Sequence, residues 1–112
     1  MSPRKVPHDR DLFARLIAEV RVTDPEVLAG TMFGCPAAYA AGKMAFCVLG
    51  TDIGVRIPEA RATALLADGT AVPFRPYGRQ TMREWVQLPP EPAPIGILLE
   101  AVAFARRNAK KT

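Results

Sequence analysis

Residues 30–50 read "GTMFGCPAAYAAGKMAFCVLG", and the fold turns on how this stretch divides between strand and bend. "VLAGTMF" (27–33) runs into it and "MAFCVLG" (44–50) ends it; both are apolar runs of strand length. Between them "GCPAAYAAGK" holds Gly34 and Gly42, which tolerate positive φ, and Pro36, which lacks an amide hydrogen. That is the composition of a wide hairpin connection. The stretch therefore predicts two strands joined by a broad bend, with Cys35 in the bend and Cys47 packed within the second strand.

Working outward, "TDIGVRIP" (51–58) alternates Ile53, Val55 and Ile57 with Asp52, Gly54 and Arg56, a third strand entered by a tight turn at Gly50. Upstream, Leu12, Phe13, Leu16, Ile17 and Val20 form one stripe of an amphipathic helix from Asp9 to Arg21, with Asp9 as N-cap and Thr23-Asp24-Pro25 as its stop. After Ile57, Pro58 and Glu59 suit a helix start, "ARATALLA" continues it, and Asp68-Gly69 closes it. "TAVPFRP" predicts a fourth strand, with Pro73 at an edge or bulge because it cannot donate to a ladder. "YGRQT" is a turn, and "MREWVQLP" (82–89) is a fifth strand with Trp85 and Val86 on opposite faces. The proline-rich "PPEPAP" leads into a last helix, Ile95 to Asn108, whose inward stripe is Leu98, Leu99, Val102 and Ala105. The order helix, three strands, helix, two strands, helix implies an α+β fold with a mostly antiparallel five-stranded sheet and helices packed on it.

A chain of 112 residues makes one domain, 1–112, and 49% hydrophobic with 23% charged residues is ordinary globular composition. No apolar window is long enough to span a membrane, and "MSPRKVPHDRD" lacks the apolar core of a signal peptide, so a cytoplasmic location is expected. In that compartment Cys35 and Cys47 stay reduced. The net charge of +4 is unevenly placed: short basic tails at 1–8 and 106–112 carry Arg4, Lys5, Arg106, Arg107, Lys110 and Lys111 with no acid. The folded body is therefore slightly acidic, and a broad cationic face is not expected.

"MFG" (32–34), the strand entered by "GKMAFCV", the alternating "DIGVRIP" and the series "PFRPYGRQTMREWVQLP" resemble the N-terminal domain of the TfoX/Sxy family of bacterial competence regulators. The likeness runs from about Leu12 to Phe104, and its most specific parts are Met32-Phe33-Gly34 and Gly78-Arg79, Met82, Trp85 and Pro89. It implies the fold α-β(3)-α-β(2)-α and a regulatory domain without catalytic activity. Two-domain members add a helical second domain, which the resemblance does not extend to here. This chain also departs from the family's usual Arg-x-Met-Phe-Gly-Gly, having Gly30-Thr31-Met32-Phe33-Gly34-Cys35-Pro36.

No residue pattern argues for catalysis. A nucleophilic Cys35 needs a base, and the only histidine, His8, is expected in a mobile N-terminus. Two cysteines twelve positions apart with one distant histidine fit no zinc spacing, and no phosphate-binding glycine motif occurs. Neither an enzyme, a metal, a cofactor nor a small-molecule substrate is expected. One cluster suits binding: Arg75, Arg79 and Arg83 recur at intervals of four beside Tyr77 and Trp85 with no acid among the three arginines until Glu84. Guanidinium groups hold carboxylates or phosphates, and aromatic rings can stack on bases. Alternatively Trp85 fills the core, Tyr77 caps a turn and the arginines lie along apolar surface, pairing with Glu84 and its neighbours. The expected function is a non-enzymatic regulatory domain with a protein partner or self-association as a dimer; the alternative is a nucleic-acid-binding accessory protein that uses the Arg75–Arg83 loop and the basic tails.

Overall fold

The computed structural model describes residues 8–32, 34–74 and 83–109; the tail residues 1–7 and 110–112 and most of the Arg75–Arg83 loop lie outside these. Helix α1 spans Arg10–Thr23 and opens as the sequence predicts, with the Leu12 amide donating to Asp9 Oδ1 at 2.9 Å. Its stripe Leu12, Phe13, Leu16, Ile17 and Val20 is buried. His8, expected in a mobile N-terminus, has a partner in the fold: the Gly50 amide donates to His8 Nδ1 at 2.9 Å, and the Asp9 amide donates to the Gly50 carbonyl at 2.8 Å. These two bonds tie the start of α1 to the turn at Gly50.

The sheet has six strands rather than five: β1 (Leu28–Met32), β2 (Cys35–Ala40), β3 (Lys43–Leu49), β4 (Asp52–Arg56), β5 (Val72–Pro73) and β6 (Trp85–Leu88). They lie in the order β1-β2-β3-β4-β6-β5, every pair antiparallel. The extra strand is β2, where the sequence predicts a broad bend. Its two ends are tight turns instead. Gly34 at one end has φ 81°, and at the other Ala41 (φ 52°) and Gly42 (φ 81°) form a two-residue hairpin of the kind that needs positive φ at both positions.

Pro36 is compatible with this strand because of where it falls in the ladder. It stands opposite Thr31, and without an amide hydrogen that pair belongs to the non-hydrogen-bonded set, which turns the proline nitrogen toward β3. There the pairing stops: the β2–β3 ladder begins at Ala37↔Cys47 and shifts register between Ala38 and Tyr39, leaving Ala45 as the extra residue of a bulge.

Helices cover one face of the sheet, as predicted. Phe46 and Val48, Ile53 and Val55, and Val86 and Leu88 pack there against α1, α2 (Glu59–Ala67) and α3 (Ile95–Ala109), in a core that includes Ala62, Leu65, Leu98 and Val102. Leu99, expected to point inward, is only partly buried. The other face carries a smaller cluster of Ala37, Cys47, Phe74 and Trp85, rimmed by half-buried Met32, Tyr39, Met44 and Leu49. Gly54 makes room for it: a Cβ on residue 54 would stand 2.4 Å from the Phe74 ring. The fourth predicted strand shrinks to Val72–Pro73, at the sheet edge where the proline belongs.

Candidate functional site

The sheet end formed by the start of β3, the end of β4 and the start of β6 opens into a broad cleft of about 680 Å³. Lys43 and Met44 reach it from β3, Arg56 from β4, Glu59 from the first turn of α2, and Arg83, Glu84 and Trp85 from the entry to β6. Trp85 is 8% exposed and stacks on Phe74 with ring centroids 5.1 Å apart and planes 24° apart, so its orientation is set by packing on the sheet. Little of its ring is open for stacking on a base. It forms a wall, not a platform.

Arg56 is already engaged. Its Nε and Nη2 donate to Glu84 Oε1 at 3.2 and 2.9 Å, and its guanidinium lies 5.5 Å from the centre of the Phe104 ring, which Arg107 also approaches, at 5.6 Å. Glu84 thus pairs with a β4 arginine, and among the described residues no ion pair joins it to Arg83. Lys43 and Arg83 are exposed and have no carboxylate partner among the described residues.

Charge is unevenly placed among the described residues. Lys43, Arg56, Arg83 and Arg107 gather at this end with Glu59 and Glu84, a local excess of cations. Elsewhere among the described residues carboxylates outnumber arginines and lysines nine to five. Of the residues singled out in the sequence, Arg83 stands on the cleft rim and Trp85 forms its wall, while Arg75, Tyr77 and Arg79 lie outside the described residues. Lys43, Met44, Arg56 and Arg107 carry no local sequence signal, because each comes from a different segment and only the sheet brings them together.

The thiols sit on the sheet's second face. Cys35 and Cys47 are both buried and neither is in a disulfide; burial, with Cys35 beside it, pushes the Cys47 thiol up to about 12. Among the described residues no group of three or more His, Cys, Asp or Glu side chains could hold a metal ion, and no helix is long and apolar enough to cross a membrane.

Both sheet edges are blunted. At β5 the edge is two residues long and includes Pro73. At β1 the non-hydrogen-bonded pairing of Thr31 turns its carbonyl outward, where it accepts from the Tyr39 hydroxyl at 2.7 Å. The Val27 carbonyl, four residues earlier and so on the same side, accepts from Arg21 Nε at 2.8 Å. Gly30 lets the Tyr39 ring cross the strand, since a Cβ there would meet it at 3.0 Å.

Comparisons with protein-family models, with curated proteins and with solved structures find no match for this chain.

Proposed function

We propose that this chain is a non-enzymatic interaction domain in the manner of the N-terminal unit of TfoX/Sxy regulators that its sequence resembles, and that it engages a protein partner through the basic end of its sheet. The observation that carries the reading is the gathering of Lys43, Arg56, Arg83 and Arg107 from separate parts of the chain beside a wall already fixed by packing. Arg56 and Arg107 have partners within the fold in Glu84 and the Phe104 ring, whereas Lys43 and Arg83 have no carboxylate partner among the described residues, and an oppositely charged contact supplies one. The guarded β1 and short β5 edges direct any pairing of two copies away from edge-to-edge strand addition.

A second reading, nucleic-acid binding, is favoured by one observation: Arg107 stands at this same end and leads into the sequence that carries Lys110 and Lys111. Glu59 and Glu84 within the cleft weigh against it, since a phosphate backbone would pass both.

A photo-crosslinking residue placed at Lys43, with Glu19 on the exposed side of α1 as control, tests the reading in the source cells. A protein adduct from position 43 and not from position 19 is expected. A nucleic-acid adduct, equal adducts from both positions, or none from position 43 overturns it.

A further inference from the structure

The cleft has a chemistry that narrows the kind of partner it fits. Lys43, Arg56 and Arg83 line it together with Glu59 and Glu84, an excess of one positive charge. Arg56 and Glu84 neutralise each other at 2.9 Å, which leaves Lys43 and Arg83 as the exposed donors, with Glu59 at one side. A single carboxylate entering between Lys43 and Arg83 balances the cleft. A run of phosphates brings several negative charges past Glu59, which lines the cleft and repels them. Its apolar lining is Met44 and Trp85, so an apolar side chain suits the group next to that carboxylate. The cleft, about 680 Å³, is broadly open to the surface, so an extended segment can lie across it.

We infer that the cleft binds an acidic linear segment of a protein, seating an Asp or Glu carboxylate between Lys43 and Arg83 and a neighbouring apolar side chain against Met44 and Trp85. This rests on the reading of the chain as a protein-interaction domain and names the chemistry of its partner. Adaptable Met44 suits an apolar group of variable shape, whereas the locked Trp85 fixes the direction from which it enters.

The test is selection of random peptides displayed on phage against the full chain, followed by titration of the enriched peptides in labelled form. Enriched sequences should share an Asp or Glu beside an apolar residue. Exchange of that acid for its amide, or Lys43→Gln or Arg83→Gln in the protein, should each weaken binding about fivefold, the scale of one exposed ion pair. Both protein positions are exposed, so circular dichroism and the unfolding midpoint should show the variants folded. Enrichment of peptides without an acid, binding indifferent to Lys43 and Arg83, or no enrichment overturns the inference. Binding of a labelled DNA duplex or single strand that these same substitutions abolish also overturns it, in favour of nucleic acid. A protein adduct at position 43 combined with any such result removes the acidic segment alone and leaves the interaction domain standing.

Discussion

Phe74 lies over Gly54 so closely that its Cε1 occupies the place a side chain on residue 54 would need, 2.4 Å from an added Cβ. Ile53 and Val55 on either side pack toward the helices, and the glycine, without a Cβ, leaves room on the second face for the Phe74 ring. Trp85 in turn stacks on that ring.

Gly54→Ala should therefore destabilise the fold by about 1–3 kcal/mol, the range for forcing atoms into a packed site. Urea denaturation measures this directly. Because the displaced ring is the one that orients Trp85, the near-ultraviolet circular dichroism of the folded variant should change as well. A variant as stable as the parent would show that Phe74 moves aside without loss.

Ala41 holds φ at 52° in the β2–β3 hairpin, a conformation that disfavours a Cβ. Exchanging it for asparagine, the residue this turn prefers before glycine, should stabilise the chain by about 0.5–1 kcal/mol. A rise in the thermal midpoint of a few degrees is the expected readout.

The Tyr39 hydroxyl guards the outer edge of β1. Tyr39→Phe removes one exposed hydrogen bond and should alter stability by no more than about 1 kcal/mol. Its larger effect should be on association: sedimentation velocity at rising concentration should show self-association in the variant beyond that of the parent, because the Thr31 carbonyl is then open to another strand.

Arg106 grips Asp24 with two bonds, 2.7 and 2.6 Å, and joins the end of α3 to the turn after α1. The hydrogen bond from Arg106 is the main cause that holds the Asp24 carboxyl below its ordinary value of 3.8. A lowered carboxylate contributes stability above its unfolded value and loses it as the pH falls through its folded value. Arg106→Gln should accordingly weaken the fold by about 0.5–1 kcal/mol near neutrality, a discounted figure for a partly exposed pair. Below about pH 3.8 the gap between variant and parent should close, as pH-dependent denaturation would show.

With its thiol raised to about 12 and fully enclosed, Cys47 should resist alkylation in the native chain near pH 8 and react only as fast as the fold opens. Mass spectrometry after timed iodoacetamide treatment distinguishes this from a reactive thiol.

Periodicity made much of the architecture legible. The α1 stripe, the alternation of Ile53, Val55 and Ile57 and the edge position of Pro73 all follow from spacing, because burial on one face imposes a period that a single sequence displays. The strand at Cys35–Ala40 was hidden for two physical reasons. Alanine is a poor strand former, so Ala37, Ala38 and Ala40 gave no propensity signal, and an Ala-Gly turn lacks the asparagine that marks such hairpins. Pro36 argued against a strand until its register showed that the missing donor faces the side where pairing with β3 has ended. At the cleft, Arg83 and Trp85 were visible as a local cluster, but Lys43, Arg56 and Arg107 became neighbours only through the antiparallel order of β3, β4 and β6 and the return of α3.

Among the described residues cations collect at the cleft end and carboxylates elsewhere, which favours a positive potential at the cleft. On the proposed reading, that potential turns the cleft toward an acidic body before the two touch. Added salt should then slow the approach of such a body more than it hastens its departure, and dilute buffer should favour capture.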